Sequence, residues 1–133
     1  MVEAARVVGP AAEHYAQGMQ PGPCIQFGNF NSDWQNEQDM LAWYAGWRMP
    51  AMRECPGVIR VRRLCSIAGW AKHGVFYEFE SLAARNEFFL GHEDADAQIK
   101  AWSDRMVSKL THAPASSTLA LRIWPPAGGA ATG

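Results

Sequence analysis

The sequence predicts an α+β domain whose elements run β–α–β–β–α–β. Three observations predict it. Two β-rich runs, residues 58–67 and 73–80, are separated by a short connection containing Gly69. Helical patterns stand on both sides of this pair, at residues 34–54 and 81–110. One further short β-rich run lies at each end, at residues 24–30 and 118–124.

Residues 24–30 (CIQFGNF) read as a strand bounded by turn residues, and Asn31-Ser32-Asp33 then offers N-caps. The long helix over 34–54 contains Pro50, which lacks a donor N–H, so a kink or break is expected near Met49. Pro56-Gly57 ends it. In the central pair, Arg60 and Arg62 stand to meet Glu78 and Glu80 across the strands. Ser81 caps a helix through about Leu90, Gly91 interrupts it, and residues 94–110 form a second helix with Ile99, Trp102, Met106 and Leu110 at helical spacing. Pro125-Pro126 stops the last strand. This order is the split βαβ pattern of ferredoxin-like folds, an antiparallel four-stranded sheet with helices on one face. Its strands carry apolar groups on both faces, so a second copy of the sheet is the simplest cover and a homodimer is expected.

Residues 1–21 read as an N-terminal extension with one short helix, 22–125 as the domain, and 126–133 as a flexible tail. The chain has 133 residues, 48% hydrophobic and 19% charged, with a formal net charge of −1. One domain with a real core follows, burying roughly two-thirds of the surface its unfolded chain exposes. The missing basic excess argues against nucleic-acid or anionic-membrane partners. No apolar run approaches the roughly 18 residues of a membrane span. The odd set Cys24, Cys55 and Cys65 fits no disulfide framework, and no signal peptide is visible, so a reducing, cytoplasmic setting is expected. Six Trp, six Phe and three Tyr are many for this length.

At about 100° per residue, Leu41, Tyr44, Arg48, Met52 and Cys55 share one narrow helical stripe. A charge inside an apolar stripe must be paired or must face a ligand. Arg48 is therefore either paired to a buried carboxylate such as Glu78, or turned outward where Pro50 bends the helix, or set to polarise a ligand's carbonyl, enolate or carboxylate. Tyr44, one turn earlier, can donate to the same oxygen or be a core tyrosine. His73 is the histidine best placed for proton transfer, or else a solvent-exposed residue at the strand's edge. Trp47, Met52, Phe76 and Glu78 complete the candidate substrate-binding set, and the aromatic supply suits a flat or hydrophobic ligand as well as a dimer core. His92, Glu93, Asp94 and Asp96 resemble a metal cluster superficially but read as a solvated acidic helix start. No metal-ligand spacing, GxGxxG, Walker loop or GxSxG elbow occurs, so no metal or cofactor is expected.

Three segments together resemble a known family. Residues 43–52 (WYAGWRMPAM) resemble the first-helix motif of EthD-like proteins of the dimeric α+β barrel superfamily, a Trp-Tyr pair followed by a His, an apolar residue and a Pro. Residues 56–63 (PGVIRVRR) resemble the family's entry into its second strand, and residues 73–79 resemble its aromatic-rich third strand. The resemblance covers about residues 22–125. It implies a cofactor-independent enzyme, an isomerase, cyclase or lyase, acting on a small hydrophobic aromatic or polyketide-like molecule through an enolate-like intermediate. Arg48 and Tyr44 would hold the oxyanion and His73 would move protons. The superfamily also implies a cofactor-free monooxygenase as an alternative, and a reading from a different class is a non-catalytic dimeric ligand-binding or accessory protein. The sequence departs from the motif at one point: the family's frequent helix His falls on Arg48, which stays protonated and cannot serve as a base.

Overall fold

The computed structural model describes residues 1–15, 22–93, 96–114 and 116–122, and side chains throughout these except His92. Six strands and four α-helices are assigned: β1 (Val2–Val8), β2 (Cys24–Ser32), α1 (Trp34–Trp43), α2 (Met49–Glu54), β3 (Val58–Cys65), β4 (His73–Phe79), α3 (Leu82–Asn86), α4 (Ala97–Ser108), β5 (Leu110–His112) and β6 (Thr118–Leu121). A 3-10 turn covers Pro10–His14, and π-helical segments cover Tyr44–Arg48 and Glu87–Glu93. The fold is α+β with one antiparallel sheet in the order β1-β3-β4-β2-β5, and β6 also pairs with β2.

The sheet has six strands rather than four. The first addition corrects the expected N-terminal helix. Residues 2–8 pair with β3 from Val2↔Cys65 to Val8↔Arg60, and among the described residues of the extension only the 3-10 turn at Pro10–His14 is helical. Ala and Glu favour helix locally, but an open sheet edge satisfies every second backbone group of this segment and buries Val7. The second addition is β5, which opposes Phe30–Ser32 of β2 and takes Leu110 out of the preceding helix. β6 opposes Cys24–Phe27 on the same edge. The part of the expected last strand at residues 123–124, the residues 16–21 of the expected extension, and the tail at 126–133 lie outside the described residues.

Residues that oppose one another in register share a face, which divides the sheet. Cys24, Phe30, Val61, Val75, Tyr77 and Phe79 point to one face, where Met40, Trp43, Tyr44, Met52, Phe88 and Met106 of the helical segments close a core. Ile25, Phe27, Leu64 and Phe76 point to the other, and none of them belongs to that core. Arg60 pairs with Glu78 on this second face as the strand pattern predicts. Arg62 does not reach Glu80; its guanidinium lies 4.7 Å from the Phe76 ring centroid. Glu78 also accepts a 2.9 Å bond from the Gly22 backbone N–H and is buried.

The expected break in the first helix exists, one turn earlier than Met49. Tyr44–Arg48 is π-helical, and Pro50 enters α2 in its first turn, where the missing N–H costs little. Gly57 ends the connection with φ +86°, and a Cβ there would come within 2.5 Å of the Ala84 Cβ, so the turn and the approach of α3 both require glycine. Ser81 caps α3 by accepting from the Ala84 N–H, and Asp96 caps α4 by accepting from Gln98 and Ile99.

Candidate functional site

The two π-helical segments face each other across the core, and each ends on a charged residue. Arg48 closes the first and Glu93 closes the second. Arg48 Nη2 donates to both Glu93 carboxylate oxygens at 2.8 and 2.7 Å, and Nη1 donates to the Tyr77 hydroxyl at 3.0 Å. Both residues are buried, with Arg48 6% and Glu93 8% exposed. The guanidinium also lies 4.1 Å from the Trp43 ring centroid and 5.3 Å from that of Phe89. Arg48 is thus paired to a buried carboxylate, as one expectation had it, but the carboxylate is Glu93 and not Glu78. Glu93 in turn is not part of a solvated helix start. Asp96 keeps a capping role, and Asp94 and the His92 side chain lie outside the described residues. The segment at 87–93 brings Glu93 inward because an extra residue per turn re-aims its last side chain, a displacement that no residue spacing in the sequence signals.

Burial opposes the charge on Arg48, and Tyr77, Tyr44 and Glu93 more than offset it, so its pKa rises above the usual arginine range. Glu93 is the carboxylate that forms the ion pair with Arg48. Burial likewise lifts the Tyr44 phenol well above its ordinary value, with Tyr77 adding to the rise. Tyr44 is therefore a hydrogen-bonding group and not a base. One polar atom of this cluster has no partner: Arg48 Nε is buried without an acceptor.

Beside the ion pair lies a cavity of about 240 Å³ between the sheet and the helical segments. Its polar wall is made by Arg48, Glu93, Tyr44 and Tyr77, with Gln26, Arg85, His112 and Ser117 also reaching it. Phe30, Val75, Phe89, Val107 and Leu110 supply its apolar surface. An apolar surface facing a wall of convergent polar groups can hold a small molecule and fix its orientation. Phe30 links the parts: its ring stacks on Tyr44 at 6.4 Å and lies 5.7 Å from the rings of His73 and His112.

Of the residues singled out in the sequence, Arg48 and Tyr44 meet at this cavity. The other five do not line it. His73 starts β4 behind Phe30, 2% exposed, with Nε2 3.8 Å from Glu37 and Nδ1 3.5 Å from Arg63. It is neither at the cavity nor at an exposed edge. Burial, Arg63 and Lys72 depress its pKa, and Glu37 only partly opposes them. Trp47 packs on Trp43 and Phe88, Met52 lies in the core, and Phe76 and Glu78 belong to the other sheet face. The residues missed are Glu93, Tyr77, Arg85 and His112. Tyr77 was legible as an inward residue of an alternating strand. His112 carried no signal, because a three-residue strand shows no periodicity.

Burial pushes the thiols of Cys24 and Cys55 up, so both are poor nucleophiles at neutral pH. Among the described residues, no group of three or more His, Cys, Asp or Glu side chains is arranged to hold a metal ion, and no helix is long and apolar enough to cross a membrane. Comparison with known proteins finds no matching protein-family model, no matching curated protein and no matching solved structure.

Proposed function

We propose that this chain is a cofactor-independent enzyme that forms an enolate from a small aromatic or polyketide-like oxo compound held in the Arg48–Glu93 cavity. The observation that carries this is the convergence of the Arg48, Tyr44 and Tyr77 side chains on one wall of a cavity whose opposite surface is apolar. A ligand carbonyl oxygen set against the Arg48 guanidinium is held by an attraction that strengthens as the oxygen gains charge. Removal of the α-proton places the electron pair on this oxygen, and Arg48 with the Tyr44 or Tyr77 hydroxyl stabilises it. His112 replaces His73 as the proton-transfer group, because it lines the cavity and His73 does not. A cofactor-free monooxygenase would use the same first step.

The resemblance to EthD-like proteins supports this reading, and so does the sheet. Taken alone, β6, β2, β4 and β3 stand in the order of the ferredoxin-like split βαβ fold, with β1 and β5 as additions. The face carrying Ile25, Phe27, Leu64 and Phe76 supports pairing with a second copy as a dimeric α+β barrel.

A second reading, a ligand-binding protein without turnover, is favoured by one observation. Arg48 stands where the family's helix His falls, and Glu93 already neutralises it. Exchange of the α-hydrogens of 1-tetralone for deuterium, followed by NMR in D2O, separates the two. The enzyme reading expects accelerated exchange that Arg48→Met abolishes. Binding of 1-tetralone without any acceleration would leave only the second reading, and absence of binding would contradict both.

A further inference from the structure

The second guanidinium at the cavity, Arg85, has no counterpart to Glu93. Its Nε donates to the Gln26 side-chain carbonyl at 2.9 Å and its Nη1 to that of Asn86 at 3.0 Å. Its guanidinium carbon lies 4.7 Å from the Phe89 ring centroid. These contacts orient the group, since a planar fork held by two amides and a ring has little freedom left. They do not neutralise it: among the described residues, no carboxylate forms an ion pair with Arg85. The lining, among the described residues, therefore carries two guanidinium groups against the single Glu93 carboxylate.

A fixed cation on the wall of a half-apolar cavity favours a ligand that brings the missing charge. Arg48 cannot supply this preference, because its charge is already compensated by Glu93. The two arginines thus differ in what they ask of a ligand. Arg48 asks for a neutral acceptor such as a carbonyl or phenolic oxygen. Arg85 asks for an anion, and its fork geometry suits a carboxylate. Phe89 ties the two together, as both guanidinium groups lie on its ring.

We infer that the cavity selects small aromatic oxo- or hydroxy-carboxylates, with the carboxylate on Arg85 and the oxo or hydroxyl oxygen towards Arg48. This rests on the cavity being the ligand site proposed above, and adds the substrate's charge. Gln26 is the positioning residue, because it holds the Arg85 fork from β2.

The test compares salicylate with its methyl ester by calorimetric titration of the full chain. The two differ in charge while keeping the ring and hydroxyl. Salicylate is expected to bind at least tenfold more tightly. Arg85→Gln should remove that advantage and leave the ester's affinity unchanged, and Arg85→Lys should retain part of it. Circular dichroism of both variants establishes that they fold. Equal affinity for the two probes, or a salicylate preference that survives in folded Arg85→Gln, overturns the inference while leaving the cavity as a ligand site. Failure of both probes to bind removes the ligand site itself, and the inference with it.

Discussion

Arg48 and Glu93 occupy the last positions of two separate π-helical segments and meet in a buried, bidentate ion pair. π-Helical turns are rare and are concentrated at functional sites. Two of them converging on one ion pair beside a cavity is the feature on which the functional proposal turns. It also gives the pair a dual character, because the contact that organises the site also seals the core.

That dual character is separable by mutation. Glu93→Gln leaves Arg48 charged, buried and uncompensated, and should destabilise the fold by about 3 kcal/mol. Replacing the pair together, as Arg48→Met with Glu93→Leu, removes both charges and should recover most of that loss. The double variant should nevertheless fail to bind 1-tetralone. Chemical denaturation with an unchanged m-value measures the first two effects.

His73 should mark the pH dependence of stability. Its folded pKa lies below the unfolded value of 6.5, chiefly through burial, with Arg63 and Lys72 adding to the depression against Glu37. Between the two values the unfolded chain binds the extra proton, so stability is intact above pH 6.5 and declines as pH falls below it. His73→Gln should flatten thermal stability between pH 6.5 and its acid side. An unchanged slope would mean that another group is responsible. Glu37, held below its ordinary value first by the hydrogen bond from Lys72, acts in a lower window, losing its contribution as pH falls through the carboxylate range.

His112 should matter for turnover and not for folding. It lines the cavity from β5, and its exposed side chain contributes little to the core. His112→Gln should slow 1-tetralone exchange by about a hundredfold, the usual range for losing a general base, while changing stability by less than about 0.5 kcal/mol. His73→Gln assayed in the same way should retain exchange, and its loss there would return the proton-transfer role to His73.

The second sheet face should hold a dimer. Phe27 and Phe76 lie 6.2 Å apart there, away from the helix-side core. Light scattering at micromolar concentration should give twice the chain mass of 14.7 kDa. Phe76→Asp should shift the protein to monomer without disturbing the cavity. A monomeric parent protein would remove the barrel arrangement.

Much of this was legible in the sequence, for identifiable reasons. Alternation at Val75, Tyr77 and Phe79 and the stripe through Tyr44, Arg48 and Met52 are periodic, and periodicity survives translation into structure. Pro50 announced a break in the helix, though not that the break would be π-helical and placed at Tyr44–Arg48. Two things were hidden. The strand at Val2–Val8 has helix-prone composition, and its pairing depends on a sheet edge more than fifty positions away. The identity of Arg48's partner depends on the geometry of the second π segment, so Glu93 read as one of several surface acids beside Asp96.

The Arg48 guanidinium is the group that the functional proposal depends on most, and its Nε–H resonance can be observed directly. In 1H–15N spectra of the full chain its resonance is assigned by its loss in Arg48→Lys. Titration with 1-tetralone should shift it and saturate at one ligand per chain, as the carbonyl oxygen comes to lie against the guanidinium. A resonance that stays in place while 1-tetralone binds would contradict the placement of the ligand oxygen at Arg48.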